Sequence, residues 1–181
     1  MSSLLTQNYF QLFSLPEQYR LERAELDDRY RELQRNVHPD RFASAGDRVR
    51  RLSVQQAAHI NEAYQTLKDP LRRGRYLLTL RGQTMGDQQA THQDPEFLMQ
   101  QMTLREALGE VREQADPLAE LDRLAREVRA QYQALEAGLA DALDERQDAE
   151  AALTFVLRMQ YFTRLQNEVQ ELEANMEDEL L

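Results

Sequence analysis

Apolar residues recur along this chain at three- and four-residue intervals and rarely alternate, so nearly every long segment reads as an amphipathic helix. Tyr9, Phe10, Leu12 and Phe13 make a short first helix that Asn8 is placed to cap. Pro16 ends it, because the residue before a proline is pushed out of helical geometry. Leu26, Tyr30, Leu33 and Val37 repeat at 4-3-4 spacing and predict a second helix from Arg20 to Asn36. A third runs from a cap at Asp47 to Lys68, with Val49, Ala57, Ile60, Ala63, Tyr64 and Leu67 on one face. Asp69-Pro70 stops it, and a fourth helix spans Leu71 to Leu80 and ends at Gly82. The stretch that follows has no periodicity and two glycines, so residues 82–93 read as a linker.

Beyond the linker, Asp94-Pro95 and Asp116-Pro117 each place a capping residue before a proline at the first helical position. They bracket a helix of about twenty residues. Leu118, Leu121, Val128, Tyr132, Leu135 and Leu139 mark the next, and Leu165, Val169, Leu172 and Met176 mark a last one starting near Asp144. The expected architecture is all-α: an antiparallel helical hairpin in residues 1–81 and an up-down-up three-helix bundle in residues 94–181.

Two stretches do not reduce to core packing. Asn36-Val37-His38-Pro39-Asp40-Arg41-Phe42 lies between the two long helices of the first half. Pro39 lacks a backbone donor and biases His38 towards extended geometry, so the stretch is expected as a stiff turn at the hairpin tip. Arg29, Arg31, Arg35 and Arg41 crowd its approach. On the helix from Pro95, Phe97, Leu104, Leu108 and Val111 form the core stripe. Leu98, Met99 and Met102 project about 100° to 200° away from Phe97, with Glu106 and Glu110 one and two turns later. A second apolar strip edged by carboxylates packs on the first domain or faces a partner, for which methionine is suited.

Charge sharpens this division. The net charge of −10 divides into +3 over residues 1–93 and −13 over residues 94–181. The acidic half argues against nucleic-acid binding, which rests on neutralising phosphates. No run of 18 apolar residues is present, so no membrane span is expected, and the N-terminus lacks the pattern of a secretory signal or transit peptide. Without cysteine, thiol catalysis and cysteine ligation are excluded, and a reducing cytosol is the expected location.

Enzyme chemistry finds little support. His38 and Asp40 are a conceivable acid/base pair, but no nucleophile, second carboxylate or pocket accompanies them. His38, His59 and His92 form no metal-ligand spacing, and no glycine-rich phosphate loop occurs. No catalytic residue, metal or cofactor is therefore expected.

Three blocks carry a resemblance: Tyr9 to Phe13, His38-Pro39-Asp40-Arg41-Phe42, and Ile60-Asn61-Glu62-Ala63-Tyr64 through Asp69-Pro70-Leu71-Arg72-Arg73. Together they resemble a J domain. With Tyr76-Leu77-Leu78 and Phe97-Leu98-Met99-Gln100-Gln101-Met102, the chain is similar to the HscB-type J co-chaperones of iron–sulfur cluster assembly. The likeness is dense to about residue 112 and architectural after that. It implies that His38, Pro39 and Asp40 trigger ATP hydrolysis in a DnaK-type chaperone, HscA, and that Arg29, Arg35 and Arg41 meet its acidic surface. It implies that Leu98, Met99, Met102, Glu106, Glu110 and Tyr161 bind the cluster scaffold protein IscU. Thr103 stands where the family usually has glutamate. Eukaryotic relatives carry a cysteine-bearing extension and targeting peptide, neither of which occurs here, so a bacterial, cytosolic protein is expected; a monomer is expected as well. The residues alone leave open a general J-domain adaptor with another client, an acid/base hydrolase, or a purely structural helical protein.

Overall fold

A computed structural model describes residues 4–37, 46–83 and 94–179. The described residues form helices and turns with no strand, the all-α class expected. The chain divides into two compact units, Met1–Arg81 and Gly82–Leu181.

In the first unit, α1 spans Tyr9–Leu12, α2 Arg23–Val37, α3 Asp47–Lys68 and α4 Pro70–Leu80. Asn8 and Gln11 cap α1 reciprocally. The Asn8 side chain accepts from the Gln11 amide at 2.9 Å, and the Gln11 side chain accepts from the Asn8 amide at 3.1 Å. The Tyr9 amide donates to the Tyr76 hydroxyl at 3.0 Å, and the two rings stack 4.3 Å apart, tying α1 to α4. Phe10, Phe13 and Tyr19 are buried, as are Leu26, Ile60, Ala63, Leu67, Leu77 and Leu78 from the longer helices.

Helices α2 and α3 run antiparallel. Arg23 reaches Tyr64, Tyr30 reaches Asn61 and Gln34 reaches the Ala57 carbonyl, a descending register. One expectation departs: Val49, expected on the buried face, is 44% exposed in the first turn of α3. The expected cap of α3 also moves by one residue. Gly46 holds the cap position, while Asp47 is the first helical residue and pairs with Arg50. Asp69 caps α4 by accepting from the Arg72 amide at 2.8 Å, with Pro70 in its first turn.

The second unit contains α5 (Pro95–Gly109), α6 (Pro117–Ala140) and α7 (Ala149–Asp178). Asp94, Asp116 and Asp148 each accept a backbone amide three residues on, at 3.0–3.2 Å, and start these helices. Two expected boundaries shift. The helix from Pro95 closes at Gly109 and is followed by a tight turn over Val111–Glu113. The last helix starts at Ala149, not near Asp144. There the chain continues α6 through a widened turn over Asp141–Glu145, which buries Ala142 and Leu143, and reverses at Gln147, whose φ is 52°.

Side-chain pairs fix the bundle's directions. Asp94 meets Arg158, Arg105 meets Glu168 and Arg112 meets Glu179, an ascending register that makes α5 parallel to α7. Helix α6 is antiparallel to both, with Leu121 clustered beside Met176 and Gly138 beside Phe155. A methyl on Gly138 would come 2.5 Å from the Phe155 ring, so glycine permits this approach. Phe97 and Leu104 of α5 pack with Val128, Phe162 and Leu165, and Val111 packs with Leu121, Leu124, Val169 and Met176. Leu118, expected in the buried stripe of α6, is 37% exposed at the start of that helix.

Candidate functional site

The first candidate surface lies on α2. Its apolar stripe is buried at both ends, by Leu26 and Val37, with Tyr30 and Leu33 half-buried between them. Arg29, Arg31 and Arg35 are exposed, the placement expected from their phase on the helix. Arg29 lies 3.7 Å from Glu25 and Arg31 lies 3.4 Å from Asp28, both loose pairs along the helix. His38, Pro39, Asp40 and Arg41 fall outside the described residues. What the structure describes is the helix that leads to them.

The stem of that hairpin is braced by a polar node that periodicity did not reveal. Asp27 accepts from Arg23 Nε at 2.8 Å and from the Tyr64 hydroxyl at 2.9 Å. Tyr30 stacks on Tyr64 at 4.0 Å, and Lys68 lies over the same ring at 5.6 Å. Burial alone would raise the Asp27 pKa, but the Tyr64 and Arg23 hydrogen bonds outweigh it and hold the carboxyl below its usual value. Burial, followed by the bond to Asp27, pushes the Tyr64 phenol up. The signal available in the sequence was a tyrosine in each of two facing stripes. The pairing became visible only with the register.

The second candidate surface is on α5. Leu98, Met99 and Met102 are 43%, 64% and 60% exposed, and Glu106 and Glu110 are exposed beyond them. These five residues share one face and extend about 18 Å along the axis at 1.5 Å per residue. Phe97 and Leu104, on the other face, are buried at 3% and 4%, so the helix is apolar on both sides but packed within its bundle on only one.

Tyr161 enters this surface from α7. Its ring stands edge-on to Phe97 and Phe162, at 5.7 Å and 5.4 Å, and packs, partly buried, against the core cluster. Its hydroxyl donates to the Gln101 carbonyl at 3.3 Å. Burial raises the Tyr161 pKa. On the helical wheel, Gln101 and Arg105 lie between the core stripe and Leu98, at about 40° and 80° from Phe97. Tyr161 therefore borders the strip at that edge, as a half-buried ring.

Arg158 is the residue of this region that sequence reasoning missed. It pairs with Asp94 and lies over the Phe97 ring at 5.1 Å. Asp94 thus caps α5 and anchors it to α7. Its capping role was legible in the Asp-Pro dipeptide, whereas its partner, far away in sequence, was not.

Among the described residues, no group of three histidines, cysteines or carboxylates is placed to hold a metal, and no helix is long and apolar enough to cross a membrane. Among the described residues, the arrangement presents an exposed arginine-bearing face on α2 and an exposed apolar strip on α5.

Residues 93–170 match the family model described as the HSCB C-terminal oligomerisation domain. The co-chaperone protein HscB homolog of Cupriavidus taiwanensis is 44% identical over 178 residues, covering 98% of this chain and all of that one. The structure of the chaperone HscB from Vibrio cholerae is 46% identical, with a TM-score of 0.86 over 96% of this chain and 100% of that chain. Human co-chaperone HscB is 30% identical at a TM-score of 0.86, covering 93% of this chain and 83% of that chain. With this identity sustained over nearly its full length, and the expected all-α fold shared with solved relatives, the chain belongs to the HscB family of co-chaperones.

Proposed function

We propose that this co-chaperone is a non-enzymatic adaptor of iron–sulfur cluster assembly. Its first unit, as a J domain over residues 1–81, stimulates the ATPase of a DnaK-type chaperone of the HscA kind. Its second unit, residues 94–181 beyond a linker at 82–93, delivers a scaffold protein of the IscU kind. His38, Pro39 and Asp40 act as the trigger. Arg29, Arg35 and Arg41 steer the encounter with an acidic chaperone surface, which makes stimulation sensitive to salt. Leu98, Met99, Met102, Glu106, Glu110 and Tyr161 receive the scaffold. The protein works in the cytoplasm as a monomer.

One observation carries the scaffold half of this reading. Helix α5 buries Phe97 and Leu104 in its bundle while leaving Leu98, Met99 and Met102 in contact with solvent on the other side. Exposed apolar strips of this kind mark interaction surfaces. Linking both sites in one chain raises the scaffold's effective concentration at the chaperone. Calorimetric titration of IscU onto the Leu98→Ala/Met99→Ala/Met102→Ala variant tests it. Binding weakened by at least about a hundredfold is expected, as for loss of an apolar anchor cluster, and unchanged affinity would remove the assignment.

The matched domain's description as an oligomerisation domain makes a second copy of the chain the competing occupant of the strip. Sedimentation of the wild type and the triple-alanine variant separates the two. A dimer that the variant abolishes would favour self-association, whereas a monomer in both leaves the strip to the scaffold.

A further inference from the structure

We propose that Met99 and Met102 form an oxidation site through which peroxide reversibly switches off docking at the α5 strip. This inference rests on the assignment of that strip to scaffold binding. The chain has six methionines and no cysteine, so its only oxidisable sulfur is thioether. Among the described residues, Met159 and Met176 are packed in the bundle core at 0% and 7% exposure. Met99 and Met102, at 64% and 60%, are the exposed ones, and both lie on the strip. They are three residues apart on one helix, hence neighbours on one face.

The chemistry balances with a peroxide as oxidant. The thioether sulfur attacks one peroxide oxygen, the O–O bond breaks, and the sulfur gives up two electrons to become a sulfoxide. The other oxygen leaves as water after taking up the available protons. A flexible apolar side chain thereby becomes a polar one that needs a hydrogen-bond donor. In an apolar contact the sulfoxide oxygen gives up its hydrogen bonds to water, and burying it there costs affinity. The strip's carboxylates, Glu106 and Glu110, accept hydrogen bonds and donate none. Sulfoxide is reducible by methionine sulfoxide reductases, so the change is a switch and not a lesion. The core methionines stay reduced because they are out of reach, so the fold survives the event.

The test treats the full chain with hydrogen peroxide, removes the peroxide, and then measures two things. Peptide mass mapping follows sulfoxide formation at each methionine. Calorimetry follows binding of untreated IscU. Met99 and Met102 are expected to oxidise at least about tenfold faster than Met159 and Met176, in line with their accessibility. The oxidised protein should bind IscU at least about tenfold more weakly, recover on treatment with the two reductases, and stimulate the chaperone ATPase unchanged when IscU is absent. A Met99→Leu/Met102→Leu variant, whatever its own starting affinity, should show no change on peroxide treatment.

Oxidised wild type that binds IscU with unchanged affinity, while the triple-alanine variant has lost it, would overturn this inference and leave the scaffold assignment standing. If the triple-alanine variant also binds normally, the scaffold assignment itself fails. Peroxide sensitivity that persists in the double-leucine variant would place the oxidation elsewhere and likewise overturn the inference.

Discussion

Replacement of Asp94 tests how α5 is held, and the structure gives the size of the effect. The Asp94 carboxylate accepts from the Phe97 amide at 3.2 Å and pairs with Arg158. Losing a side-chain cap costs about 1 kcal/mol. The ion pair has side chains 29% and 32% exposed, so it is partly screened and contributes about 0.5–1 kcal/mol. Arg158 keeps its place over Phe97 and retains part of its contact. Asp94→Ala should therefore destabilise the start of α5 by about 1.5–2 kcal/mol, while Asp94→Asn, which still caps, should lose only about 0.5–1 kcal/mol. Amide exchange across residues 97–102 in the full chain reads this directly. In the alanine variant, exchange should quicken by roughly 10- to 30-fold, and in the asparagine variant by about fivefold or less. IscU affinity should fall by no more than the same factors. Equal losses in the two variants would refute the capping argument, and no change in either would show that Asp94 does not hold the first turn.

Two further outcomes are expected. The Asp27 pKa is depressed in the folded chain, so its contribution to stability is present above the unfolded value of about 4 and lost as pH falls through the folded one. The stability difference between wild type and Asp27→Asn, followed by urea unfolding, should hold from neutrality down to about pH 4 and shrink below it; a difference independent of pH would contradict the Tyr64–Asp27–Arg23 node. Asp40→Asn should leave the helical circular dichroism intact and abolish stimulation of the chaperone ATPase, and normal stimulation by the folded variant would sink the J-domain trigger.

What the sequence made legible follows from which interactions are local. The cap of α1 by Asn8, the stop of α3 at Asp69-Pro70, and the starts of α5 and α6 at Asp-Pro dipeptides are short-range devices and were readable. So was the double face of α5, since Leu98, Met99 and Met102 are out of phase with Phe97 and Leu104 on any helix. Features set by register between distant segments were not. Periodicity puts Val49 on the same face as Ile60 and Leu67 but does not say how far along α3 that face is covered, and Val49 is exposed. Asp144 looked like the start of the last helix, yet burying Ala142 and Leu143 keeps α6 going and moves the cap to Asp148. The Asp94–Arg158 pair and the bond from Tyr161 to the Gln101 carbonyl both depend on the axial register of α5 against α7, which the expected up-down-up order leaves open. The His38-Pro39-Asp40 motif is the opposite case, identified by its residues alone and lying outside the described part of the chain.

The central claim is that one chain couples a chaperone trigger to a scaffold-binding strip, and a steady-state ATPase measurement tests it most directly. Hydrolysis by HscA is followed with this protein alone, with IscU alone, and with both together. The rate with both should exceed the sum of the separate stimulations, and that excess should be lost in the Leu98→Ala/Met99→Ala/Met102→Ala variant while its own stimulation persists. A merely additive rate with the wild-type protein, or an excess that survives in the variant, would contradict it.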